Sequence, residues 1–262
     1  MTGIKSVVFI HTIKGARIME KEPITSLSYN QDYYAVMANK VIRGKQSMSL
    51  QSARLIRLLV TQIAKSDTDT RTYSCKITEL ARFLNVSQNN MYRDIRDICE
   101  NLMKSCVYIG TDDPKQKWKL LHWVSTAEYD GNGTVTLRLS KEVNSFVVEL
   151  DRWFTRYQLK NILYFKSFYS IRMYEIILSS FNESQRKKEG YKFTVDELRE
   201  WLGCEKKYKL FGDFKKRAIE PSIDEINEKS DIYISFVKYH KTGKSITAIE
   251  FFVIENPNNK NE

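Results

Sequence analysis

The chain contains itself twice, and an internal repeat of this kind restricts the fold more than any other feature of the sequence. Ser52-Ala53-Arg54-Leu55-Ile56 aligns with Ser170-Ile171-Arg172-Met173-Tyr174, and at the same offset of 118 residues Glu79-Leu80-Ala81-Arg82-Phe83-Leu84 aligns with Glu197-Leu198-Arg199-Glu200-Trp201-Leu202. A third block, Lys104-Ser105-Cys106-Val107-Tyr108-Ile109 against Lys229-Ser230-Asp231-Ile232-Tyr233-Ile234, resumes at an offset of 125. Two similar units in series are therefore expected, and 262 residues are enough for each to bury a core of its own.

Each copy reads as three helices followed by strands. In the first, Ser49 can cap a helix running to about Ala64, with Leu55, Leu58, Leu59 and Ile63 on one face. A short helix over Thr78 to Leu84 follows, and Ser87 can cap a third whose apolar residues Met91, Ile95, Ile98 and Leu102 recur at three- and four-residue steps. Val107-Tyr108-Ile109 is β-prone, Thr111-Asp112-Asp113-Pro114 is a turn and Lys119 to Val124 returns as a strand. A second hairpin turns at Asp130-Gly131-Asn132-Gly133, after which Val135, Leu137 and Leu139 alternate as in a half-buried strand.

In the second copy Ser167 opens a helix through about Phe181, and Thr194-Val195-Asp196-Glu197 is a capping box for the next. The third helix runs from about Phe211 to Glu228, with Phe214, Ala218, Ile219, Ile223 and Ile226 buried. Pro221 should kink it or mark a fresh start, because proline has no amide for the helical ladder. Ile232 to Tyr239 and Ile246 to Ile254 close the unit as strands around the turn His240-Lys241-Thr242-Gly243-Lys244. Helices ending in a β-hairpin describe a helix-turn-helix with a wing, so the expected class is α+β, two tandem winged-helix domains related by internal duplication. Their expected extents are 28–150 and 151–262, preceded by a poorly ordered extension over 1–27 in which Met19 is an alternative start.

Forty-two basic against 32 acidic side chains leave a formal charge of +10, which favours a polyanionic partner, nucleic acid or an anionic membrane surface. Every apolar run is too short for a secretory leader or a membrane-spanning helix of about 20 residues, and a reducing cytoplasm fits the four cysteines, read as mostly buried thiols. The side chains suited to base edges lie near the start of the first copy's third helix: Gln88, Asn89, Asn90, Tyr92, Arg93 and Arg96. The second copy carries a basic patch, Lys206, Lys207, Lys209, Lys215, Lys216 and Arg217 with Tyr208 interleaved, suited to phosphates. Lys115, Lys117 and Lys119, and Lys238, Lys241 and Lys244, are candidate wing contacts to the DNA backbone.

Catalysis is not expected, and neither a cofactor nor a metal is. Gly243-Lys244-Ser245 looks like the end of a phosphate loop, but the required first glycine would fall on Lys238 and a strand follows. Three scattered histidines and no CxxC spacing supply no metal site. The helix plan and charge leave open a transcriptional regulator of the same fold and a winged-helix scaffold that docks only other proteins.

Several words of the sequence resemble the iteron-binding plasmid replication initiators. These are Met48-Ser49-Leu50 with Arg54-Leu55-Ile56, Phe154-Thr155 with Tyr157-Gln158-Leu159, Lys166 through Glu175, and Asp213-Phe214-Lys215-Lys216-Arg217-Ala218-Ile219-Glu220-Pro221 with Glu225-Ile226-Asn227. The resemblance runs from about residue 28 to 254. It implies a protein that binds direct repeats in origin duplex DNA, helps open the duplex and recruits host replication proteins such as the replicative helicase or its loader, without hydrolysing anything. It further implies a homodimer in equilibrium with a monomer, the first winged helix dimerising and dimers repressing the protein's own gene. The second winged helix would carry the principal reading helix, with Lys215, Lys216 and Arg217 on or beside it.

Overall fold

Serine caps and apolar spacing set the first unit. The structure, a computed structural model, describes residues 24–63, 72–110, 115, 117–147, 153–184, 186 and 190–258. Strand β1 (Ile24–Ser26), β2 (Tyr34–Ala38), α1 (Asn39–Ile42) and β3 (Lys45–Gln46) lead to α2 (Leu50–Thr61), where the Ser49 side chain accepts from the Ser52 amide. The expected end of this helix near Ala64 lies outside the described residues. After β4 (Thr72–Lys76) and α3 (Ile77–Phe83) comes α4 (Gln88–Lys104), capped by Ser87. Its buried residues are Met91, Ile95, Ile98 and Leu102, the set that helical spacing selects. Strands β5 (Cys106–Ile109), β6 (Lys119–His122), β7 (Val124–Tyr129) and β8 (Thr134–Leu139) follow, then α5 (Lys141–Asn144), β9 (Phe154–Gln158) and α6 (Lys160–Leu163). The turn expected at Thr111–Pro114 lies outside the described residues.

The second unit comprises α7 (Phe168–Glu183), β10 (Gly190–Thr194), α8 (Val195–Trp201), α9 (Phe211–Phe214), a π-helical turn (Lys215–Ile219), α10 (Glu220–Lys229), β11 (Ile232–Thr242) and β12 (Ser245–Glu255). Thr194 and Glu197 form both halves of the capping box. The π turn runs directly into α10, which has Pro221 in its first turn, so the missing amide falls where the ladder has already been broken.

Sheet order establishes the duplication. The first unit pairs β1-β4-β8-β7 and the second β10-β12-β11, so in both the strand ahead of the second helix lies beside the last strand of the wing. This topology corrects the third repeat block: β5 does not correspond to β11. It pairs with β3 and β6 in a separate sheet, because the chain just ahead of α2 offers it an edge, and the true counterparts of β11 and β12 are β7 and β8. Lys115, Lys117 and Lys119 consequently belong to this extra hairpin and not to the wing of the first unit. Ile24–Ser26, expected within the disordered extension 1–27, forms a strand parallel to Thr72–Ser74; residues 1–23 lie outside the described residues. Across the expected boundary at 150, β9 pairs antiparallel with β2, so the second segment begins by completing a sheet of the first.

The two copies pack through equivalent positions. Arg57 on α2 and Glu175 on α7 stand 118 residues apart, the repeat offset, and form a wholly buried bidentate pair, Nε–Oε1 3.0 Å and Nη2–Oε2 2.9 Å. Arg172 Nη1 (2.9 Å) and the Tyr157 hydroxyl (2.5 Å) also donate to this carboxylate. Arg54 and Arg172, likewise repeat partners, reciprocate: Arg54 donates to the carbonyls of Leu84 and Phe165, while Arg172 donates to those of Trp201, Gly44 and Ile42. Each arginine therefore caps the second helix of its own unit and grips the segment that leads into the first helix of the other.

A related device ends those second helices. Gly203 follows α8 at φ +63, and the amides of Gly203 and Cys204 donate to the carbonyls of Glu200 and Arg199. Asn85, at the equivalent place after α3, adopts φ +53 with the same two bonds shifted to Arg82 and Ala81. A methyl at Gly203 would run into the Gln46 carbonyl of the first unit, a backbone atom that cannot swing aside. Gly203→Ala should lower the unfolding free energy by at least about 2 kcal/mol, whereas Asn85→Gly should change it little; chemical denaturation of both variants checks the contrast.

Candidate nucleic-acid interface

On α4 the core stripe turns inward, which leaves Gln88, Asn89, Asn90, Tyr92, Arg93 and Arg96 exposed, as expected for an outward reading surface. Its charge, however, is balanced. Arg93 lies against its neighbour Asp94 (Nε–Oδ1 2.6 Å, Nη2–Oδ2 3.1 Å), and Lys104 pairs with Glu100 at 3.2 Å. Base-edge chemistry is thus concentrated in the amides of the first turn. Tyr92 reaches over the wing turn: a methyl on Gly133 would stand 2.8 Å from its hydroxyl. That wing turn is held by Asp130, whose Oδ1 accepts from the amides of Asn132 (2.7 Å) and Thr134 (2.9 Å), and it carries no lysine.

The second unit concentrates cations. Arg199 donates to the carbonyls of Lys207 (3.1 Å) and Lys209 (3.3 Å), and Tyr208, at φ +52, packs edge-on against Tyr169 at 6.2 Å. This pinned turn between α8 and α9 leaves Lys206, Lys207, Lys209 and Leu210 exposed, while Glu205 is drawn into an ion pair with Lys45. Along the helix Phe214, Ala218 and Ile219 are buried and Lys216 and Arg217 are exposed. Lys215 is different. It is half-buried, its Nζ 3.1 Å from Glu220 and 5.1 Å from the Tyr239 ring centre, and the Glu220 carboxylate with the Tyr239 phenol raises its ammonium pKa above the ordinary value. It braces the helix against the wing, which sets it apart from its two neighbours in the basic cluster.

The brace has a second half, because Phe211 meets the same Tyr239 ring edge-on at 5.8 Å. Helix and wing thus share the Tyr239 ring as a common contact, and the wing strands extend past the expected ends to Thr242 and Ser245. Lys238, Lys241 and Lys244 are all exposed on this wing, where His240 pairs with Glu250 at 2.8 Å. The second unit therefore exposes Lys206, Lys207, Lys209, Lys216, Arg217, Lys241 and Lys244 on a turn held by Arg199 and on a helix and wing that meet at Tyr239. Leu210, 72% exposed, escaped the sequence reading; its signal was an apolar residue placed between a lysine run and the helix start. Among the described residues no cluster of His, Cys, Asp or Glu is arranged to hold a metal, and no helix is long and apolar enough to cross a membrane.

Comparison with known proteins agrees with this architecture. Residues 34–178 match the family described as Initiator Replication protein, WH1, and residues 194–253 match Initiator Rep protein, WH2. A replication initiation protein from Escherichia coli is 23% identical over 199 residues, which cover 74% of this chain and 62% of that protein; the chain thus spans less than two thirds of that relative's length. The crystal structure of a Pi initiator protein in complex with iteron DNA has the same fold, with a TM-score of 0.68 at 22% identity over 86% of this chain and 99% of that one. With the first match alone covering more than half of its residues, the chain belongs to the initiator replication protein family.

Proposed function

We propose that this protein initiates plasmid replication by binding direct repeats, iterons, in origin duplex DNA, with the second winged helix as the main source of affinity. The observation that carries this reading is the braced cationic ridge of the second unit, where loop, helix and wing are held by Tyr239 and Arg199 and present lysines and an arginine outward. Phosphate neutralisation by such a ridge releases counterions and supplies affinity irrespective of sequence. Discrimination between bases then falls to side chains on the two reading helices, Gln88, Asn89 and Asn90 in the first unit and Arg217 in the second. The fold shared with the iteron-bound Pi initiator supports the same assignment.

In this reading the protein acts in the cytoplasm by binding, not by bond-breaking. It opens the origin through the energy of assembly on repeats and delivers host replication proteins such as the helicase or its loader. The first unit joins two copies in a dimer that represses the protein's own gene, and the monomer serves the origin. Titration of duplex DNA that flanks the gene, at increasing salt, tests the DNA-binding step. Log affinity should fall against log salt with a slope steeper than about −4, given about −0.9 for each phosphate neutralised. A flat response, or no duplex binding at low salt, would contradict it and favour a protein-docking role.

A further inference from the structure

We propose that Leu210 is a specificity-determining residue, reading the 5-methyl group of a thymine in the major groove. The inference rests on the DNA-binding reading above and deepens it. Leu210 is the most exposed large apolar side chain among the described residues, at 72%, although the turn around it is rigidly held. Arg199 binds the carbonyls of Lys207 and Lys209 just ahead of it, and Phe211 just behind it is seated on Tyr239. Leu210 itself is extended, φ −76° and ψ 140°, at the cap position of α9, with its side chain standing clear of the core. The chain on either side of it carries the exposed cations Lys206, Lys207, Lys209, Lys216 and Arg217, which suit a duplex lying against this end of the helix.

An isopropyl group can neither donate nor accept a hydrogen bond. Against the donor and acceptor atoms of most base edges it would strip water and return nothing, whereas the thymine C5-methyl is an apolar surface of matching size. Leu210 therefore favours a thymine at one position of the site by attraction and disfavours the other bases by desolvation. A 5-methylcytosine would offer its methyl at the same ring position, so the two sources must be separated by experiment.

The test uses the full chain and the duplex it protects when footprinted on DNA flanking its gene. Each thymine in that duplex is replaced in turn by deoxyuridine, which deletes only the methyl; a second set carries 5-methylcytosine in place of each cytosine. The wild type should lose about fourfold in affinity at one thymine, the value of one buried methyl at about 0.8 kcal/mol. Leu210→Ala should bind every deoxyuridine duplex as it binds the parent, and Leu210→Met, which keeps an apolar reach, should restore sensitivity at the same position. Equal sensitivity of wild type and Leu210→Ala at every thymine would overturn the proposal, and a response confined to methylated cytosine would overturn the thymine assignment. Absence of any protected duplex in the footprint would instead sink the DNA reading beneath it.

Discussion

Replacing Lys216 and Arg217 together with alanine should weaken binding to the specific duplex by about 100-fold or more, while thermal unfolding stays where it was. The two side chains are exposed on the helical segment that also carries the buried Phe214, Ala218 and Ile219, so their removal deletes no core contact. A bidentate arginine contact to guanine is worth roughly 1–3 kcal/mol, and each lost phosphate contact also flattens the salt slope by about one unit. Fluorescence anisotropy on specific and random duplexes separates the two effects. Lys215→Ala should behave differently, because that ammonium lies between Glu220 and the Tyr239 ring. It should loosen the wing and weaken binding to all sequences alike. Undiminished affinity of the Lys216, Arg217 double variant at physiological salt would remove the second helix from the interface.

The second large effect is on stability. Glu175→Gln should destabilise the protein by about 3–5 kcal/mol, because it strands the buried Arg57 and Arg172 without their counter-charge. For a chain of this size that corresponds to a drop of roughly 10 °C in Tm. The same carboxylate sets part of the acid response. Burial on its own pushes the Glu175 carboxyl up, but Arg57, Arg172 and the Tyr157 hydroxyl outweigh it and hold the folded value below the ordinary range. A depressed folded value means that its stabilisation is present above the unfolded pKa of about 4.3 and is lost as pH falls through the folded one. Between pH 7 and 5 the wild type should therefore hold this contribution intact and shed it only in stronger acid, while the variant lacks it throughout. Denaturation midpoints at several pH values check both statements; a variant as stable as wild type at pH 7 would show that the two units do not depend on this pair.

Much of this could be read from the chain, and the failures have a common physical origin. Spacing identified Met91, Ile95, Ile98 and Leu102 as the buried face of α4, because an amphipathic helix writes its burial locally. The capping box at Thr194 and the break at Pro221 were legible for the same reason. Pairings between distant segments were not. Strands β4 and β10 are five residues each and partly polar, and nothing within Thr72–Lys76 says that β8 waits 60 residues on. The third repeat block failed because a strand's partner is chosen in three dimensions, and β5 found β3 first.

The exposure of the candidate residues was legible, and their pairing was not. Every side chain named on α4 is exposed, yet the Arg93 and Asp94 pairing and the acids beyond it shift the electrostatic weight to the second unit. Lys215 belonged to the basic run by composition and to the wing brace by geometry. Buried arginines were the hardest to foresee, since Arg57 and Arg172 look like the polar faces of their helices until the duplication is folded on itself. One sequence signal had been available: Asn85 and Gly203 share the repeat offset, and both residue types tolerate the left-handed conformation that ends a helix.

Footprinting of the protein on the DNA that flanks its gene asks the central question most directly. Protection of several copies of one sequence in the same orientation, each copy spanning two neighbouring major grooves, is the result expected of two winged helices joined rigidly in one chain. A single palindrome over a promoter would mark a regulator instead, and no protected segment at all would contradict the account.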